Sequence, residues 1–419
     1  MKRPLAILQR LTLVLAAGAA STAYAAPSYF SWQTVELPTA TGASCSDGSP
    51  YRFFVNRTPF SNKTVVVFEG GGACWDQDSC TTSSLLGASN PNGIPADYMS
   101  SPIAQLMTPM TSRLSLLGTV QTQQWNIVYM PYCTGDVHTG NKVGVYSEID
   151  PDNPKVYHHR GALNTEAAAA WLKENLPQPK HLLVTGASAG GAGATANYAV
   201  VRNSLNPKAS GLMADSGPLY SAPRSASSDQ YPSLHLHNKI RDVWGLDGDE
   251  GLLTKMQAQF PGLLDADDLG SATTALAKAF PADRFGYALF QGDGIYSDFS
   301  YTRFYPEIQA TKGDDKLLLL NEKWTQDISN WIPLLQEHEN VGYYMPYYRD
   351  LLLSHTLTLV TFNGTAIKEA NQKNIARFID NIIEGQGTPM RAFETQPVRQ
   401  KGLSFLDSII NLFLLPSDK

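Results

Sequence analysis

Short apolar runs alternate with amphipathic or alanine-rich stretches along most of this chain. The apolar runs predict strands at residues 51–55, 64–68, 126–130, 181–185, 211–214, 285–291 and 357–362. The stretches between them predict helices at residues 165–176, 194–204, 329–336 and 367–383. The run at 64–68 (TVVVF) is β-branched and almost continuously apolar, which is typical of a buried central strand. This alternation predicts an α/β fold, with a mostly parallel sheet that carries helices on both faces.

Two regions interrupt the alternation of strands and helices. A polar stretch rich in Pro and Ser at residues 76–123 predicts loops and short helices over the sheet. Residues 216–280 contain many Ser, Pro and Asp residues around two or three helical stretches. We interpret this second region as an insertion that covers the active site of a single domain at residues 26–419.

The first 25 residues have the three-part pattern of a secretory signal peptide. Lys2, Arg3 and Arg10 form its positive end, and the apolar stretch at 11–20 is too short to span a bilayer. Ala23-Tyr24-Ala25 is a small-x-small cleavage site. We therefore expect a secreted or periplasmic protein. No other segment has about 18 uninterrupted apolar residues, so we expect no stable membrane insertion after the signal is removed.

The charge balance argues against polyanionic partners. The chain has 32 basic and 38 acidic residues, for a formal net charge of −6. Removal of residues 1–25 takes away three basic and no acidic residues, which makes the net charge −9. Nothing in this balance predicts nucleic-acid binding or attraction to acidic lipids.

The four cysteines are Cys45, Cys74, Cys80 and Cys133. An even number of cysteines in an exported chain predicts two disulfides, for which three pairings are possible. Spacings of 29, 6 and 53 residues fit no zinc-binding pattern, so we expect no metal site.

The candidate chemistry centres on Gly186-Ala187-Ser188-Ala189-Gly190, between an apolar run and a helix of small residues. A Gly-x-Ser-x-Gly pattern in this setting is typical of a nucleophile elbow. Its glycines are needed because the strand and helix backbones nearly touch, so that a Cβ would clash. The alternative is a phosphate-binding loop, but no Lys-Ser or Lys-Thr pair follows. Ser188 is therefore the candidate nucleophile.

A serine nucleophile needs a base, an acid that orients the base, and donors for the oxyanion. In α/β-hydrolases the acid and the base follow the serine in the chain. Of the eight histidines, His355 has the most suitable position. Asp293 follows the predicted strand at 285–291 between two glycines and is the preferred acid. Asp298 and Asp215 are the alternatives.

Backbone N–H groups are the expected oxyanion donors. One should come from Ala189, directly after the nucleophile, and the others from a Gly-rich loop after an early strand. Gly71 and Gly72 lie in such a loop, directly after the predicted strand at 64–68. None of this chemistry needs a cofactor.

Several sequence segments together indicate a family. They are residues 45–50 (CSDGSP), 68–75 (FEGGGACW), 125–137 (WNIVYMPYCTGDV), 186–191 (GASAGG) and 214–217 (ADSG). In these segments the chain resembles the pectin acetylesterase/Notum family of secreted α/β-hydrolase carboxylesterases. The resemblance covers about residues 45–220 and continues beyond them only around Asp293 and at residues 353–355.

The resemblance implies an α/β-hydrolase-like fold and assigns roles to individual residues. The implied triad is Ser188 as nucleophile, His355 as base and Asp293 as acid, with oxyanion N–H groups from Gly71, Gly72 and Ala189. It also implies disulfides that join Cys74 to Cys80 and Cys45 to Cys133, and a structural role for Asp215. The family often carries Gln three residues after its acid, where this chain has Tyr296. The choice between Asp293 and Asp298 therefore stays open.

These observations predict a cofactor-free serine carboxylesterase that works through an acyl-enzyme. The expected substrate is an extracellular ester: an acetylated polysaccharide, a lipid-like acyl ester or a polyester. A serine peptidase or amidase on the same fold is one alternative, and an inactive relative that binds glycans or lipids is another. We expect the insertion at 216–280 to determine the choice of substrate.

Overall fold

A computed structural model of the chain describes residues 28–81, 89–101, 104–105, 107–113 and 119–396. The signal peptide predicted at residues 1–25 lies outside the described residues. The strands are β1 (Trp32–Glu36), β2 (Arg52–Asn56), β3 (Thr64–Phe68), β4 (Asn126–Met130), β5 (Lys142–Tyr146), β6 (Lys155–His159), β7 (Leu182–Ala187), β8 (Ser210–Asp215), β9 (Arg284–Ala288), β10 (Val341–Met345) and β11 (Arg391–Phe393).

The helices connect and cover these strands. They are α1 (Gln77–Thr81), α2 (Gly161–Asn175), α3 (Ala189–Leu205), α4 (Leu234–Val243), α5 (Leu252–Gln259), α6 (Ser271–Ala279), α7 (Gly294–Tyr301), α8 (Pro306–Gln309), α9 (Gly313–Gln336) and α10 (Ala376–Glu384). Short 3-10 helices lie at Thr39–Thr41, Tyr98–Ser100, Gln121–Gln124 and Leu351–Ser354. None of the helices in the described ranges combines the length and the apolar character needed to cross a bilayer.

A nine-stranded sheet organises the described part of the chain. Its strand order is β1-β2-β4-β3-β7-β8-β9-β10-β11. Strand β2 pairs antiparallel with both β1 and β4, and all the remaining pairs are parallel. Strands β5 and β6 form a separate antiparallel hairpin. The α/β fold with a mostly parallel sheet is therefore confirmed.

Helices α3 and α10 lie on opposite faces of this sheet. Tyr198 of α3 contacts Phe285 of β9, with ring centroids 5.1 Å apart. The next residue of β9, Gly286, faces α10, and a Cβ there would lie 2.1 Å from Cδ1 of Ile382. Because successive strand residues point to opposite faces, one helix lies on each side of β9. The missing side chain at Gly286 leaves the space that Ile382 occupies.

The sequence prediction of the secondary structure is correct for the centre of the sheet. Six of the predicted strands correspond to β2, β3, β4, β7, β8 and β9, with end shifts of at most three residues. The prediction of a strand at 357–362 is wrong. The backbone N–H groups of Leu357 and Thr358 donate to the carboxylate of Asp215 and not to a neighbouring strand. The strand that pairs with β9 on the side away from β8 is β10.

The insertion at 216–280 contains helices α4, α5 and α6. Its aromatic residues attach it to the rest of the domain. Tyr220 packs edge-on against Trp324 and Trp331 of α9, with centroid distances of 5.1 and 5.4 Å. The indole N–H of Trp244 donates to the carbonyl of Cys74 over 2.9 Å.

Two disulfides are present among the described residues. One joins Cys45 to Cys133, and the other joins Cys74 to Cys80. This is the pairing that the family resemblance implies. The first disulfide ties the loop before β2 to the loop after β4, across 88 residues of sequence. The second ties the end of the Gly-rich loop to α1.

A buried carboxylate joins the insertion to the helices of the domain. Asp327 of α9 accepts hydrogen bonds from the hydroxyls of Ser233 (2.5 Å) and Tyr301 (2.8 Å). Burial raises the pKa of Asp327 to about 7, against the opposing effect of these hydrogen bonds.

We expect Asp327→Asn to gain stability relative to the native chain as the pH rises from about 4 to 7. The unfolded carboxyl ionises near its ordinary pKa of 3.8, whereas the folded carboxyl keeps its proton up to about pH 7. The folded native chain therefore loses stability through this window, by at most about 1.4 kcal/mol per pH unit. The Tm of the variant minus the Tm of the native chain should increase from about pH 4 to pH 7 and then level off. A difference that does not change with pH would contradict the prediction.

Candidate active site

Ser188 lies between β7 and α3 in a strained turn. Its backbone angles (φ 58°, ψ −126°) are rare for a residue with a side chain. Its N–H donates to the carbonyl of Asp215 over 2.9 Å. Its own carbonyl accepts from the N–H groups of Gly191 (2.8 Å) and Ala192 (3.2 Å). These hydrogen bonds hold the serine in the sharp elbow that the Gly-x-Ser-x-Gly pattern predicts.

Two glycines allow the elbow to contact β3. A Cβ on Gly190 would lie 2.1 Å from the carbonyl oxygen of Phe68. A Cβ on Gly186 would lie 2.3 Å from the carbonyl oxygen of Gly190. Carbon and oxygen atoms do not approach so closely without a bond between them. Strand β3, strand β7 and helix α3 can therefore meet at this point only because both positions lack a side chain.

His355 and Asp293 are in direct contact. The distance from Nδ1 of His355 to Oδ2 of Asp293 is 2.8 Å. The other carboxylate oxygen caps α7, because it accepts from the N–H groups of Ile295 (3.0 Å) and Tyr296 (2.8 Å). Both oxygens of this buried carboxylate are thus fixed by hydrogen bonds. When the Nδ1–H donates to Asp293, the lone pair of the neutral imidazole is on Nε2, as a general base requires.

The other two candidate acids have different partners. Asp298 pairs with Lys316 at 2.5 Å and accepts from the hydroxyl of Thr302 at 2.7 Å. Asp215 accepts from backbone groups at 357–358. Of the three aspartates, all of which the structure describes, Asp293 is the one that contacts His355.

The Gly-rich loop follows β3 and borders the same cavity as Ser188 and His355. Gly71 (φ 140°) and Gly72 (φ 74°) have backbone angles that favour glycine. A Cβ on Gly70 would lie 2.5 Å from the carbonyl oxygen of Ala187, so the loop lies directly against the elbow. Ala189, the third expected oxyanion donor, begins α3 and is buried.

A buried carboxylate supports the Gly-rich loop. Oε2 of Glu69 accepts from the N–H of Tyr132 (2.8 Å) and the amide of Asn90 (3.3 Å), and Oε1 accepts from the hydroxyl of Tyr98. Burial raises the pKa of Glu69, and these hydrogen bonds oppose the increase. The sequence prediction includes no role for Glu69. The signal that could have identified it is a carboxylate directly after a fully apolar strand.

The side chain of His138 contacts the backbone at the start of the same loop. Its Nε2 is 2.8 Å from the carbonyl oxygen of Glu69, and its ring packs against Phe68 and Tyr132. Burial lowers the pKa of His138 to about 4, so the ring is neutral at physiological pH. A neutral ring whose Nε2–H donates to a carbonyl holds this segment of backbone in place.

The cavity beside Ser188 has a volume of about 1110 Å³. Its walls carry apolar side chains from three stretches of the chain: Tyr98, Met107 and Met110 after the Gly-rich loop, Ile295 and Phe299 of α7, and Leu352 and Leu359 around His355. The lining residues that the structure describes include none from 216–280. That this insertion covers the site stays a prediction. The aromatic side chains of the insertion pack against α9 and the backbone at Cys74. The Pro- and Ser-rich stretch supplies part of the cavity wall.

Among the described residues, one close group of potential metal ligands contains Cys74, Cys80 and His159. Both sulfur atoms belong to the disulfide, so the group offers no thiolate to a metal ion.

A protein-family model described as Pectinacetylesterase matches residues 24–240, which is just over half of the chain. The chain belongs to the pectinacetylesterase family. The family predicted from the sequence motifs is thereby confirmed, and the chain belongs to a family of carboxylic ester hydrolases.

Curated carboxylesterases are similar in sequence to part of this chain. The palmitoleoyl-protein carboxylesterase notum1' of Xenopus laevis is 29% identical over 170 residues, which are 39% of this chain and 31% of that protein. The palmitoleoyl-protein carboxylesterase NOTUM of Homo sapiens is 26% identical over 172 residues, with the same two shares. The match spans about a third of the length of these curated relatives.

A solved structure supports the fold over a longer range. The Wnt deacylase Notum from Drosophila superposes with a TM-score of 0.55 at 17% sequence identity. The alignment covers 87% of this chain and 97% of that one. The two proteins therefore share the α/β-hydrolase-like fold well beyond the segment that is similar in sequence.

We expect Gly190→Ala to destabilise the folded protein by about 3 kcal/mol or more, because the new methyl group would collide with the backbone of β3. The matched control is Gly248→Ala, whose Cβ would meet its nearest atom at 3.4 Å. Denaturant unfolding of both variants measures the two effects. Equal stability of the two variants would contradict the proposed contact at the elbow.

Proposed function

We propose that this chain is a serine carboxylesterase in which Ser188 is the nucleophile, His355 the general base and Asp293 the residue that orients His355. The observation that carries this proposal is the 2.8 Å contact between His355 and Asp293, because His355 lines the same cavity as Ser188. The strained elbow at Ser188 and membership of a family of ester hydrolases support it.

In the acylation step, Oγ of Ser188 attacks the carbonyl carbon of the ester while Nε2 of His355 takes the hydroxyl proton. The carboxylate of Asp293 stabilises the imidazolium that forms. The N–H groups of Gly71, Gly72 and Ala189 donate to the oxyanion of the tetrahedral intermediate. Collapse of this intermediate breaks the bond to the alcohol, which leaves with the proton from His355.

In the deacylation step, a water molecule attacks the acyl-enzyme. Nε2 of His355 accepts a proton from this water, and the same oxyanion donors stabilise the second tetrahedral intermediate. The bond between the acyl carbon and Oγ then breaks. Ser188 recovers its proton from His355, and the carboxylic acid is released. All of the groups in this cycle are side chains or backbone N–H groups of the chain.

The cavity favours an acyl group that is larger than acetyl. Its volume of about 1110 Å³ is slightly above the range for small-molecule sites, roughly 300–1,000 Å³. Apolar side chains such as Phe299, Leu352 and Met107 form much of its wall. We therefore propose an ester with an extended apolar acyl chain as the substrate, carried by a lipid-like, polyester or polysaccharide molecule.

We also propose that the mature protein acts outside the cytoplasm, as a secreted or periplasmic enzyme. Both disulfides support this location, because disulfides persist in oxidising compartments.

A series of p-nitrophenyl esters from acetate to palmitate tests the activity and the acyl preference together. We expect kcat/KM to rise about fourfold per methylene until the chain fills the cavity, since each buried methylene contributes about 0.8 kcal/mol. Ser188→Ala is the control and should be inactive with every ester.

A lack of turnover by the native protein would overturn the esterase proposal, and activity in Ser188→Ala would overturn the assignment of the nucleophile. A preference for acetate, together with release of acetate from acetylated pectin, would instead indicate a polysaccharide acetylesterase. Faster cleavage of p-nitroanilides than of esters would indicate an amidase.

Asp293→Asn and Asp298→Asn form a matched pair that tests the acid. We expect Asp293→Asn to lower kcat by about 10⁴-fold, because the amide selects the wrong tautomer of His355. Asp298→Asn should stay within a few-fold of the native rate, because Asp298 pairs with Lys316. Steady-state kinetics on one good ester measures both variants, and the reverse order of effects would refute the assignment.

A further inference from the structure

Asp215 lies between the two chain segments that carry the proposed nucleophile and base. It is the last residue of β8 and is fully buried. In the sheet register it stands opposite Ala187, the residue before Ser188. Its carbonyl oxygen accepts the N–H of Ser188 over 2.9 Å. The main chain of Asp215 thus contacts the elbow directly.

The side chain of Asp215 holds the loop that follows His355. The N–H of Leu357 lies 2.9 Å from both carboxylate oxygens. The N–H and the hydroxyl of Thr358 each donate to Oδ2 over 2.7 Å. Ser216 extends this contact, since its hydroxyl donates to Oδ1 (2.9 Å) and accepts the N–H of Thr356 (3.1 Å). The three residues after His355 are therefore all bonded to Asp215 or to its neighbour.

The loop around His355 needs such support because its backbone is strained. Five residues that carry side chains have φ between 50° and 62°: Leu352, Leu353, Ser354, Thr356 and Val360. Residues with a Cβ are disfavoured in this left-handed region. Such conformations persist only where the surrounding structure enforces them. Without external hydrogen bonds, the loop would relax to other backbone angles and move His355.

Arg349 supports the same loop from a second position. Its guanidinium donates to the carbonyl of Thr356 over 2.5 Å. The hydroxyl of Ser354 accepts from the N–H of Arg349 (2.9 Å) and donates to its carbonyl (2.8 Å). These hydrogen bonds hold the loop to the residues that precede it. The hydrogen bonds of Asp215 link the loop to β8 and to Ser188.

We propose that Asp215 is a positioning residue that sets the separation of nucleophile and base, with its carbonyl on Ser188 and its carboxylate on the loop of His355. This inference rests on the proposed function. A carboxylate suits the task because it only accepts hydrogen bonds, and the groups around it are all donors. An amide of the same shape would turn an NH₂ group toward some of these donors and leave them without an acceptor.

Asp215→Asn is the main test. We expect kcat to fall about 100-fold, as for a misplacement of about 1 Å, with KM within about threefold of the native value. Asp268→Asn is the matched control. Asp268 is a buried aspartate in the insertion that accepts from the hydroxyl of Ser221 (2.6 Å) and from the N–H groups of Ala222 and Gly270 (2.9 Å each). We expect it to stay within about threefold of the native kcat.

A double-mutant cycle separates positioning from a general loss of structure. If Asp215 acts through His355, then Asp215→Asn should lower the residual rate of His355→Ala by less than about threefold. Ser216→Ala removes the acceptor of the Thr356 N–H. It should lower kcat about tenfold when His355 is present and by less than about threefold in the His355→Ala background. It provides the test if Asp215→Asn does not fold, as judged by its thermal unfolding.

The outcomes are distinguishable from a failure of the esterase proposal. An inactive native protein would refute the esterase. An active native protein whose kcat is unchanged in Asp215→Asn would refute the positioning role alone. A loss of equal size in the native and His355→Ala backgrounds would also overturn it, because the effect would then not pass through His355.

Discussion

The close contact of three backbones at the elbow is the constraint on which the rest of the site depends. At Gly186 and Gly190, strand β7 and helix α3 approach the end of β3 so closely that no side chain fits between them. The Gly-rich loop begins just after the end of β3 and therefore lies against Ser188. The position of the proposed oxyanion donors relative to the nucleophile is thus set by main-chain atoms, which have few degrees of freedom.

Buried carboxylates then fix the loops at one edge of the sheet. Glu69, Asp136, Asp215 and Asp293 each end or follow a strand in the parallel part of the sheet, and each accepts backbone N–H groups. Burial of a carboxylate is costly unless its oxygens are hydrogen-bonded. The need to satisfy these oxygens therefore selects particular loop conformations. Ligands of open α/β sheets commonly bind at this carboxyl edge.

Local sequence signals account for much of the fold and for the core of the candidate site. Strands β3 and β4 are continuous apolar runs, and no other element type fits runs so short and β-branched. The sequence singles out Ser188, His355 and Asp293, and the structure adds the 2.8 Å contact between the last two. Asp298, an alternative candidate in the sequence, is paired with Lys316 because α7 and α9 pack together. No local pattern contains that information.

The failures of prediction have a common physical origin. Strands β1 and β5 expose most of their residues and lack a continuous apolar run, so only their partners β2 and β6 define them as strands. The apolar segment at 357–362 resembles a strand, but its N–H groups donate to a carboxylate from β8. Each error concerns a long-range partner that local pattern does not reveal.

Part of the cavity wall comes from a stretch of the chain that carries none of the proposed catalytic residues. Residues 89–101 are anchored beside Ser188 by the hydrogen bonds of Asn90 and Tyr98 to Glu69 and by the N–H of Ser89, which donates to the carbonyl of Gly71. Between such anchors, side chains can change in size without any shift of the backbone at the elbow. The size of the proposed acyl site can therefore differ while the proposed nucleophile, base and acid keep their positions.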